Sequence, residues 1–257
     1  MEAYLSLITN NQKTNIMKNG ILVALTCIFT LSAHAQWGKR IKGNGNVVTL
    51  ERSVNDYDGI AISGWFDVKL VSGSEGELTL KGEENLLDYI ITEVDNGVLV
   101  IKTEKGVNLK PSSYKNGIYI TVPVEEIDEL SLSGSGDITS STTLKGASLE
   151  TRVSGSGDVT LDVDVNHLEA RLSGSGDMDL SGQASNFEVT ISGSGDISAY
   201  DLTAKNVEAT VSGSADIEIT VEKSLNARVS GSGNITYKGN PSKVKSKSSG
   251  SGDVSRA

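Results

Sequence analysis

Apolar and polar residues alternate through most of the chain after residue 43, which is the pattern of a β-strand. Apolar residues occupy every second position in residues 168–172 (LEARL), 178–180 (MDL) and 187–191 (FEVTI). Because successive side chains of a strand point to opposite faces, each segment is predicted to form a strand with one apolar face. No segment keeps the period of an amphipathic helix over a useful length, although residues 83–89 are compatible with one helical turn.

A five-residue motif, SGSGD, recurs seven times in the second half of the chain. Its copies recur at intervals of 18 to 21 residues, most often 19, and two of them read SGSAD and SGSGN. They occupy residues 133–137, 154–158, 173–177, 192–196, 212–216, 230–234 and 249–253. A constant period of this length favours a solenoid, in which each repeat forms one coil of a stack.

The predicted fold is therefore all-β, a right-handed parallel β-solenoid with coils of about 19 residues. One such coil cannot bury its apolar face alone. Coils stacked about 4.8 Å apart pair their backbone groups with the coils above and below, and their inward faces form a continuous core. The right-handed sense follows from the general preference of parallel β connections.

The repeated motif is interpreted first as a corner of each coil. If the alternation continues from Leu172, Gly174 and Gly176 point inward, whereas Ser175 and Asp177 point outward. Glycine allows a strand to bend or to adopt a positive φ without a side chain entering the narrow core. Aspartate can close such a corner by accepting hydrogen bonds from backbone N–H groups.

A second interpretation of the motif is a metal site. Stacking would place the aspartates in one column, where neighbouring carboxylates repel by roughly 1 kcal/mol in water. Backbone hydrogen bonds, protonation or bound Ca²⁺ would each relieve that repulsion, so calcium binding is a hypothesis for these residues. The column consists of Asp137, Asp158, Asp177, Asp196, Asp216 and Asp253, with Asn234 among them.

The domain is predicted to span residues 45–257, with a degenerate β half at 45–123 and the repeat solenoid at 124–257. Within the first half, residues 60–73 (IAISGWFDVKLVSG) keep the layout of a coil and place Asp67 at the aspartate position. The dipeptide at 96–97 (NG) indicates a hairpin turn. This half is expected to cap the first edge of the solenoid.

The N-terminal region indicates export. Residues 17–35 have the charged start, the apolar centre and the A-x-A end of a secretory signal peptide, and residues 1–16 precede a good start at Met17. Residues 36–44 are expected to be a linker, and no later stretch is long and apolar enough to form a membrane helix. The expected location is the periplasm, the outer-membrane surface or the extracellular space. The single cysteine, Cys27, would leave with the signal peptide.

Charge and composition argue against several functions. The formal net charge is −10, which disfavours nucleic acid as a partner. After removal of the signal peptide His167 would be the only histidine, and no nucleophile, metalloprotease or nucleotide-binding motif accompanies it. The protein is therefore not expected to be an enzyme. No cofactor is expected apart from the hypothetical calcium.

Three segments resemble a known family of exported bacterial proteins, described as putative auto-transporter adhesin, head GIN domain. They are residues 43–70 (GNGNVVTLERSVNDYDGIAISGWFDVKL), 82–102 (GEENLLDYIITEVDNGVLVIK) and 120–138 (ITVPVEEIDELSLSGSGDI), followed by the glycine–aspartate repeats. The resemblance covers residues 45–257 and implies a right-handed β-solenoid at the cell envelope or surface. It supplies no catalytic residues.

The expected function is a non-catalytic surface module that acts as an adhesin or a structural binding protein, with a protein or glycan as its ligand. One alternative is a carbohydrate-binding or carbohydrate-active envelope protein, and another is a calcium-binding repeat protein. Exposed aromatic residues beside Trp65 would favour carbohydrate, whereas burial of Trp65 and Phe66 would count against it. Oligomerisation through the exposed end coil is a further possibility.

Overall fold

A computed structural model describes residues 38–257, so the expected signal peptide and the segment before it lie outside the described residues. The first half contains β1 (Lys39–Lys42), β2 (Val47–Ser53), β3 (Gly59–Gly64), β4 (Asp67–Ser72), β5 (Glu77–Glu83), α1 (Glu84–Leu87), β6 (Ile90–Asp95), β7 (Val98–Thr103), β8 (Val107–Lys110) and β9 (Tyr119–Val124). The second half contains β10 (Glu129–Gly134), β11 (Ile138–Gly155), β12 (Val159–Gly174), β13 (Met178–Gly193), β14 (Ile197–Gly213), β15 (Ile217–Gly231), β16 (Ile235–Gly239), β17 (Lys243–Gly250) and β18 (Val254–Arg256).

The second half is a stack of parallel coils, as the sequence predicted. Each strand from β10 to β15 pairs in parallel with the next, and the pairing brings equivalent residues of successive repeats together. Val159, for example, lies beside Met178, which lies beside Ile197. The solenoid has about seven turns.

The two apolar segments of a repeat form one long strand that bends, rather than two separate strands. In β12 the buried side chains are at odd positions up to Val165 and at even positions from Leu168 onward. The change of phase falls at Asn166 and His167, which are both exposed. Each coil therefore has two corners: the glycine corner, formed by the SGSGD motif, and the second corner, where two consecutive residues point outward.

Variation in coil length is confined to one part of the coil. The register of β13 and β14 is interrupted between Asp179 and Gly182, and that of β14 and β15 is interrupted at 199–203 and 204–206. From the second corner to the glycine corner the pairing is continuous, as between Phe187 and Gly193 of β13. The extra residues of the longer coils are thus accommodated before or at the second corner.

The core consists of buried side chains stacked in columns. One column follows the residue two positions before the first glycine of each motif, and another follows the residue after the aspartate. The first column contains Ile101, Ile62, Leu132, Val153, Leu172, Ile191, Val211 and Val229. The second contains Val68, Ile138, Val159, Met178, Ile197, Ile217 and Ile235. Phe187 is buried, as its phase predicted.

The first half caps this stack. Strands β3 and β4 form the first corner of the stack, in which Phe66 replaces the second glycine, since β3 pairs with β10 and β4 pairs with the start of β11. Below them lie β7 and β9 in parallel pairing, and β6, β5 and β2 add antiparallel strands. The predicted turn joins β6 to β7, and α1 is the predicted helical turn.

Part of the segment expected to be a linker is structured. Strand β1 lies within residues 36–44 and pairs with β8. The backbone N–H of Gly43 also donates a hydrogen bond to the carbonyl oxygen of Lys110, at 2.8 Å. These contacts satisfy backbone hydrogen-bonding groups of the segment. The segment is so short that its sequence pattern did not indicate this pairing.

The opposite end of the stack is closed by polar residues. All eight residues of β17 are exposed. Its inward positions Ser246 and Ser248 lie over Ala227 and Val229 of the preceding coil. Serine at these positions ends the apolar columns, and the predicted positive charge of this edge is present at Lys243, Lys245 and Lys247.

Candidate functional site

The glycine corner explains why the motif is so restricted. Gly174 has a φ of +139°, and a Cβ at this position would overlap the carbonyl oxygen of Gly155 in the neighbouring coil. A Cβ on Gly176 would likewise overlap the carbonyl oxygen of Gly157. The first relationship recurs in every coil from Gly134 to Gly250, so successive backbones approach too closely for a side chain at the first glycine. The second glycine position is less restricted, since Phe66 and Ala215 occupy it in two coils.

The aspartates form a continuous hydrogen-bonded column, which we call the aspartate ladder. Oδ1 of each residue accepts a hydrogen bond from the backbone N–H of the equivalent residue in the next coil, as from Asp177 to Asp158 at 2.9 Å. These bonds are 2.7–3.3 Å long. The ladder contains Asp67, Asp137, Asp158, Asp177, Asp196, Asp216, Asn234 and Asp253.

The ladder accounts for the aspartates without a metal. Each carboxylate from Asp137 to Asp216 accepts a hydrogen bond from a backbone N–H group of the next coil. Asn234 occupies one position, and its neutral Oδ1 accepts from Asp253 as a carboxylate would, at 3.2 Å. Within residues 38–257, no three or more histidine, cysteine, aspartate or glutamate side chains form a group that could hold a metal ion. Calcium binding by the column stays a hypothesis, and calcium titration tests it.

The ladder begins beside a groove of about 560 Å³ in the cap. We call it the aromatic groove, because three aromatic side chains line it together with charged and polar groups. Its lining consists of Trp65, Asp67, Lys110, Pro111, Ser112, Ser113, Tyr114, Gly117, Ile118 and Tyr119. Strands β4 and β9 bring the two sides together, since Asp67 and Tyr119 are partners in their parallel pairing.

The aromatic residues of the groove differ in exposure. Tyr114 is fully exposed at 107% and Tyr119 is 46% exposed, while Trp65 is partly buried against the core. Phe66 is buried at 1%. Trp65 and Phe66 therefore give different answers to the question of carbohydrate binding. Phe66 belongs to the core, whereas Trp65 lies with Tyr114 and Tyr119 in the lining of an accessible groove.

A buried carboxylate holds the loop that forms one wall of the groove. Glu83 is fully buried, and its oxygens accept hydrogen bonds from the backbone N–H groups of Ser112, at 2.8 Å, and Gly45, at 2.5 Å. Burial raises the pKa of Glu83, but hydrogen bonds from Ser112, Gly45 and Asn116 outweigh it, so the pKa lies below its ordinary value. Glu83 thus stays ionised and fixes the loop at residues 111–117.

Asp67 has a different electrostatic environment. Burial in the groove raises the pKa of its carboxyl group, and the nearby charge of Asp137 raises it further. The hydrogen bond from the backbone N–H of Asp137 acts in the opposite direction and does not cancel these effects. The groove therefore contains a carboxylate at one end of a column of like charges, and Lys110 is also part of its lining.

Other surface features lie along the second corner. Lys145, Asp164, Gln183 and Lys205 line a polar groove of about 460 Å³, and His167 lies near a smaller one. A row of amides runs beside His167, where Asn206 Nδ2 donates to Asn186 Oδ1 at 3.1 Å. Neither groove contains a cluster of aromatic side chains. In residues 38–257 no helix has the length and apolar character needed to cross a membrane.

The sequence indicated only part of the groove. It singled out Trp65 and placed Asp67 at the start of the aspartate column, but it did not identify Glu83, Tyr114 or Tyr119. The available signal was that most aromatic residues lie in the first half of the chain. Which of them would meet depends on the pairing of β4 with β9, and that pairing joins segments about 50 residues apart in sequence.

Comparisons with known proteins agree with this architecture. The family model described as putative auto-transporter adhesin, head GIN domain, matches residues 56–241. No curated protein matches the chain.

Several solved structures are similar over most of the chain. A putative lipid binding protein from Parabacteroides distasonis is 29% identical with a TM-score of 0.72, covering 85% of this chain and 100% of its own. A putative adhesin from Bacteroides fragilis is 23% identical with a TM-score of 0.74, covering 84% of this chain and 100% of its own. A putative adhesin from P. distasonis is 24% identical with a TM-score of 0.67, covering 85% and 100%. The two adhesins share the fold.

Proposed function

The chain belongs to the family described as putative auto-transporter adhesin, head GIN domain, and we propose that it is an exported, non-catalytic surface module that binds glycan in its aromatic groove. The observation that carries this proposal is the accessible cluster of Trp65, Tyr114 and Tyr119 around charged and polar groups. Adhesion to a surface ligand is what the family description leads one to expect.

Glycan suits the mixed chemistry of the groove. One face of a sugar ring presents C–H groups, which pack against the face of an aromatic side chain, and its rim presents hydroxyl groups. The phenol groups of Tyr114 and Tyr119 combine an apolar ring with a polar end. The Asp67 carboxylate accepts hydrogen bonds from sugar hydroxyls, and the Lys110 ammonium donates them.

The charge of the site favours a neutral glycan. Asp67 is the first residue of the aspartate ladder, and its closest charged neighbour in that column is Asp137. An anionic ligand placed against Asp67 would be repelled by this column and by the net charge of −10. Lys110 is a single cation in the lining and does not reverse that balance.

A lipid is the competing ligand, because one similar structure is described as a putative lipid binding protein. An acyl chain needs an apolar pocket that excludes water from most of its surface. The lining of the aromatic groove includes Asp67, Lys110, Ser112 and Ser113, so a buried acyl chain would desolvate polar groups without pairing them. These groups favour a hydroxyl-rich ligand.

Binding is tested by screening the purified protein against an array of neutral oligosaccharides, followed by titration of the tryptophan fluorescence with the best glycan. We expect Tyr114→Ala and Tyr119→Ala to weaken binding by up to about tenfold each, given a stacking contribution of about 0.5–1.5 kcal/mol. Tyr200→Ala is the matched control, because Tyr200 lies outside the groove and contacts Lys238. Binding that all three variants retain equally would exclude the groove as the site.

The same titration separates glycan from lipid. A fatty acid that binds tightly and is displaced by no glycan would replace the proposal with lipid binding. Export is tested independently by fractionating cells of the source bacterium and sequencing the N-terminus of the mature protein. A mature chain that begins at Gln36 in the envelope or medium supports the expected signal peptide, and an unprocessed cytoplasmic chain contradicts it.

A further inference from the structure

The last complete coil presents a row of three positive charges. Lys243, Lys245 and Lys247 alternate along β17, and every residue of this strand is exposed. Side chains two positions apart on a strand lie on the same face and about 6.6 Å apart. We call these three residues the lysine row.

The lysine row is not neutralised by acidic side chains. Within the described residues, none of its three ammonium groups is within ion-pair distance of a carboxylate, whereas Arg152, Arg171 and Arg228 each form ion pairs with glutamate. The segment of β15 that pairs with β17, Ser224–Gly231, contains no acidic residue either. Lys243, Lys245 and Lys247 lie beside Ser224, Asn226 and Arg228 of β15.

The row also reverses the charge of the molecule locally. The whole chain has a net charge of −10, but residues 238–257 contain Lys238, the lysine row and Arg256 against the single acid Asp253. The row lies at the end of the stack opposite the cap, because β15, which pairs with β17, follows β14 away from β3 and β7. Positive charge is thus concentrated at the end farthest from the aromatic groove.

We infer that the lysine row is a binding surface for a linear anionic polysaccharide. Three ammonium groups at regular spacing along an extended strand can each approach one carboxylate, sulfate or phosphate group of an extended polymer. Release of counterions from the polymer then contributes to affinity, as it does for other polyelectrolytes. This inference is independent of the proposed function, since the groove and the row lie at opposite ends of the solenoid and differ in chemistry.

A polymer fits the row better than an anionic membrane does. Peripheral proteins that bind membranes through basic residues commonly add an apolar anchor or a larger cluster of four to eight cations. On β17 the residues between the lysines are Val244 and Ser246, which are inward positions stacked over Leu225 and Ala227. Val244 is the only apolar side chain of β17 and is 42% exposed, but a single valine is a much smaller apolar anchor than membrane insertion requires.

Lysines on an edge strand also discourage pairing with other chains. If edge protection were the only role of the lysines, their replacement would increase self-association of the protein. Affinity for a polyanion would then fall no more than in another variant with the same net charge. The experiment below therefore includes a control variant of equal net charge.

The experiment measures binding of the purified protein to heparin, a linear anionic polysaccharide, by calorimetry over a range of salt concentrations. The test variant combines Lys243→Gln, Lys245→Gln and Lys247→Gln. The matched control combines Lys69→Gln, Lys81→Gln and Lys105→Gln, which changes the net charge equally at exposed positions of the cap. Circular dichroism checks that both variants fold, and size-exclusion chromatography measures whether the row variant self-associates more than the control variant.

We expect the row variant to lose at least about tenfold in heparin affinity near 0.1 M salt, and the slope of log affinity against log salt to fall by about 2. The control variant should resemble the wild type. Equal losses in both variants, or no binding of heparin by the wild type, would overturn the inference. Binding to phosphatidylglycerol vesicles but not to heparin would also overturn it, in favour of a membrane surface.

Discussion

Oδ1 of Asp177 accepts a hydrogen bond from the backbone N–H of Asp196 at 2.8 Å, so a side chain of one coil closes the backbone of the next. The carbonyl oxygen of Asp196 in turn accepts a hydrogen bond from the N–H of Met178, at 2.9 Å. Each glycine corner is therefore linked to its neighbour by both main-chain and side-chain bonds. This arrangement explains why the motif recurs in every coil.

The aspartate ladder predicts different effects for two substitutions of Asp177. Asp177→Asn keeps an Oδ1 acceptor and should change the free energy of unfolding by less than about 0.5 kcal/mol, whereas Asp177→Ala should lower it by about 1 kcal/mol. Urea denaturation measures both values. Equal destabilisation by the two variants would contradict a role for Oδ1 as acceptor.

Calcium can be examined with the same variants. If the carboxylates serve only the ladder, the melting temperature of the wild type should be the same in calcium and in chelator. A saturable rise in calcium, lost in the combined Asp177→Asn and Asp196→Asn variant, would instead support the metal hypothesis.

The geometry of the glycine corner predicts that the cost of a Gly→Ala substitution depends strongly on which glycine is replaced. Gly174→Ala should lower the free energy of unfolding by at least about 2 kcal/mol, because alanine is strained at a φ of +139° and its Cβ would overlap Gly155. Gly106 is a matched control with a φ of +80° and no atom within 4 Å of a Cβ. Gly106→Ala should cost only about 1 kcal/mol. Similar losses of unfolding free energy in both variants would show that the overlap with Gly155 does not contribute to the cost of Gly174→Ala.

Glu83 predicts a specific loss of stability in acid. Because its pKa in the folded protein lies below the ordinary value of 4.5, its stabilising effect is complete above that pH and is lost as the pH falls through the folded pKa. Glu83→Gln should cost about 2 kcal/mol at pH 7, and the difference from wild type should shrink below pH 4.5. Urea denaturation across this range tests both effects.

Glu77→Gln is the control for that experiment, since Glu77 is on the same strand but exposed. A difference between Glu83→Gln and wild type that stays constant with pH would contradict the assigned ionisation.

Thr151 offers a way to stabilise the core. Its side chain is fully buried at an inward position between Leu130 and Ala170, and its hydroxyl group has no hydrogen-bond partner among the described residues. Thr151→Val removes the unpaired hydroxyl while keeping the shape, and should raise the free energy of unfolding by about 1 kcal/mol. Thr160→Val, at an exposed position, should have little effect. A destabilised Thr151→Val protein would indicate a hydrogen bond to this hydroxyl.

The solenoid could be predicted from sequence because its determinants are local and repeated. The alternation around Leu168 and Leu172 defines the inward face, and the spacing of the motif defines the coil. The alternation also predicted that Gly174 points into the core, whereas in the structure Gly174 is half-buried and a Cβ there would meet the backbone of Gly155 in the neighbouring coil. The structure adds that each repeat is one bent strand with a second corner near His167.

The groove could not be predicted in the same way, because its parts come from separate segments around residues 65–67 and 110–119. Glu83 contacts Gly45 and Ser112, which are 38 and 29 residues away in sequence, and no periodicity links these positions. Tyr114 lies in a loop whose sequence contains no apolar pattern. Its presence in the same groove as Trp65 depends on how that loop is held against the rest of the cap.

The unequal tolerance of the two corners has a consequence for how such a chain can change over time. Every motif keeps five residues at the glycine corner, while register shifts such as that between Asp179 and Gly182 occur only before or at the second corner. Insertions and deletions can therefore accumulate along one side of the molecule without disturbing the other. Duplication of a whole coil would preserve both sides, so the distance between the cap and the final coil can evolve in steps of about 4.8 Å.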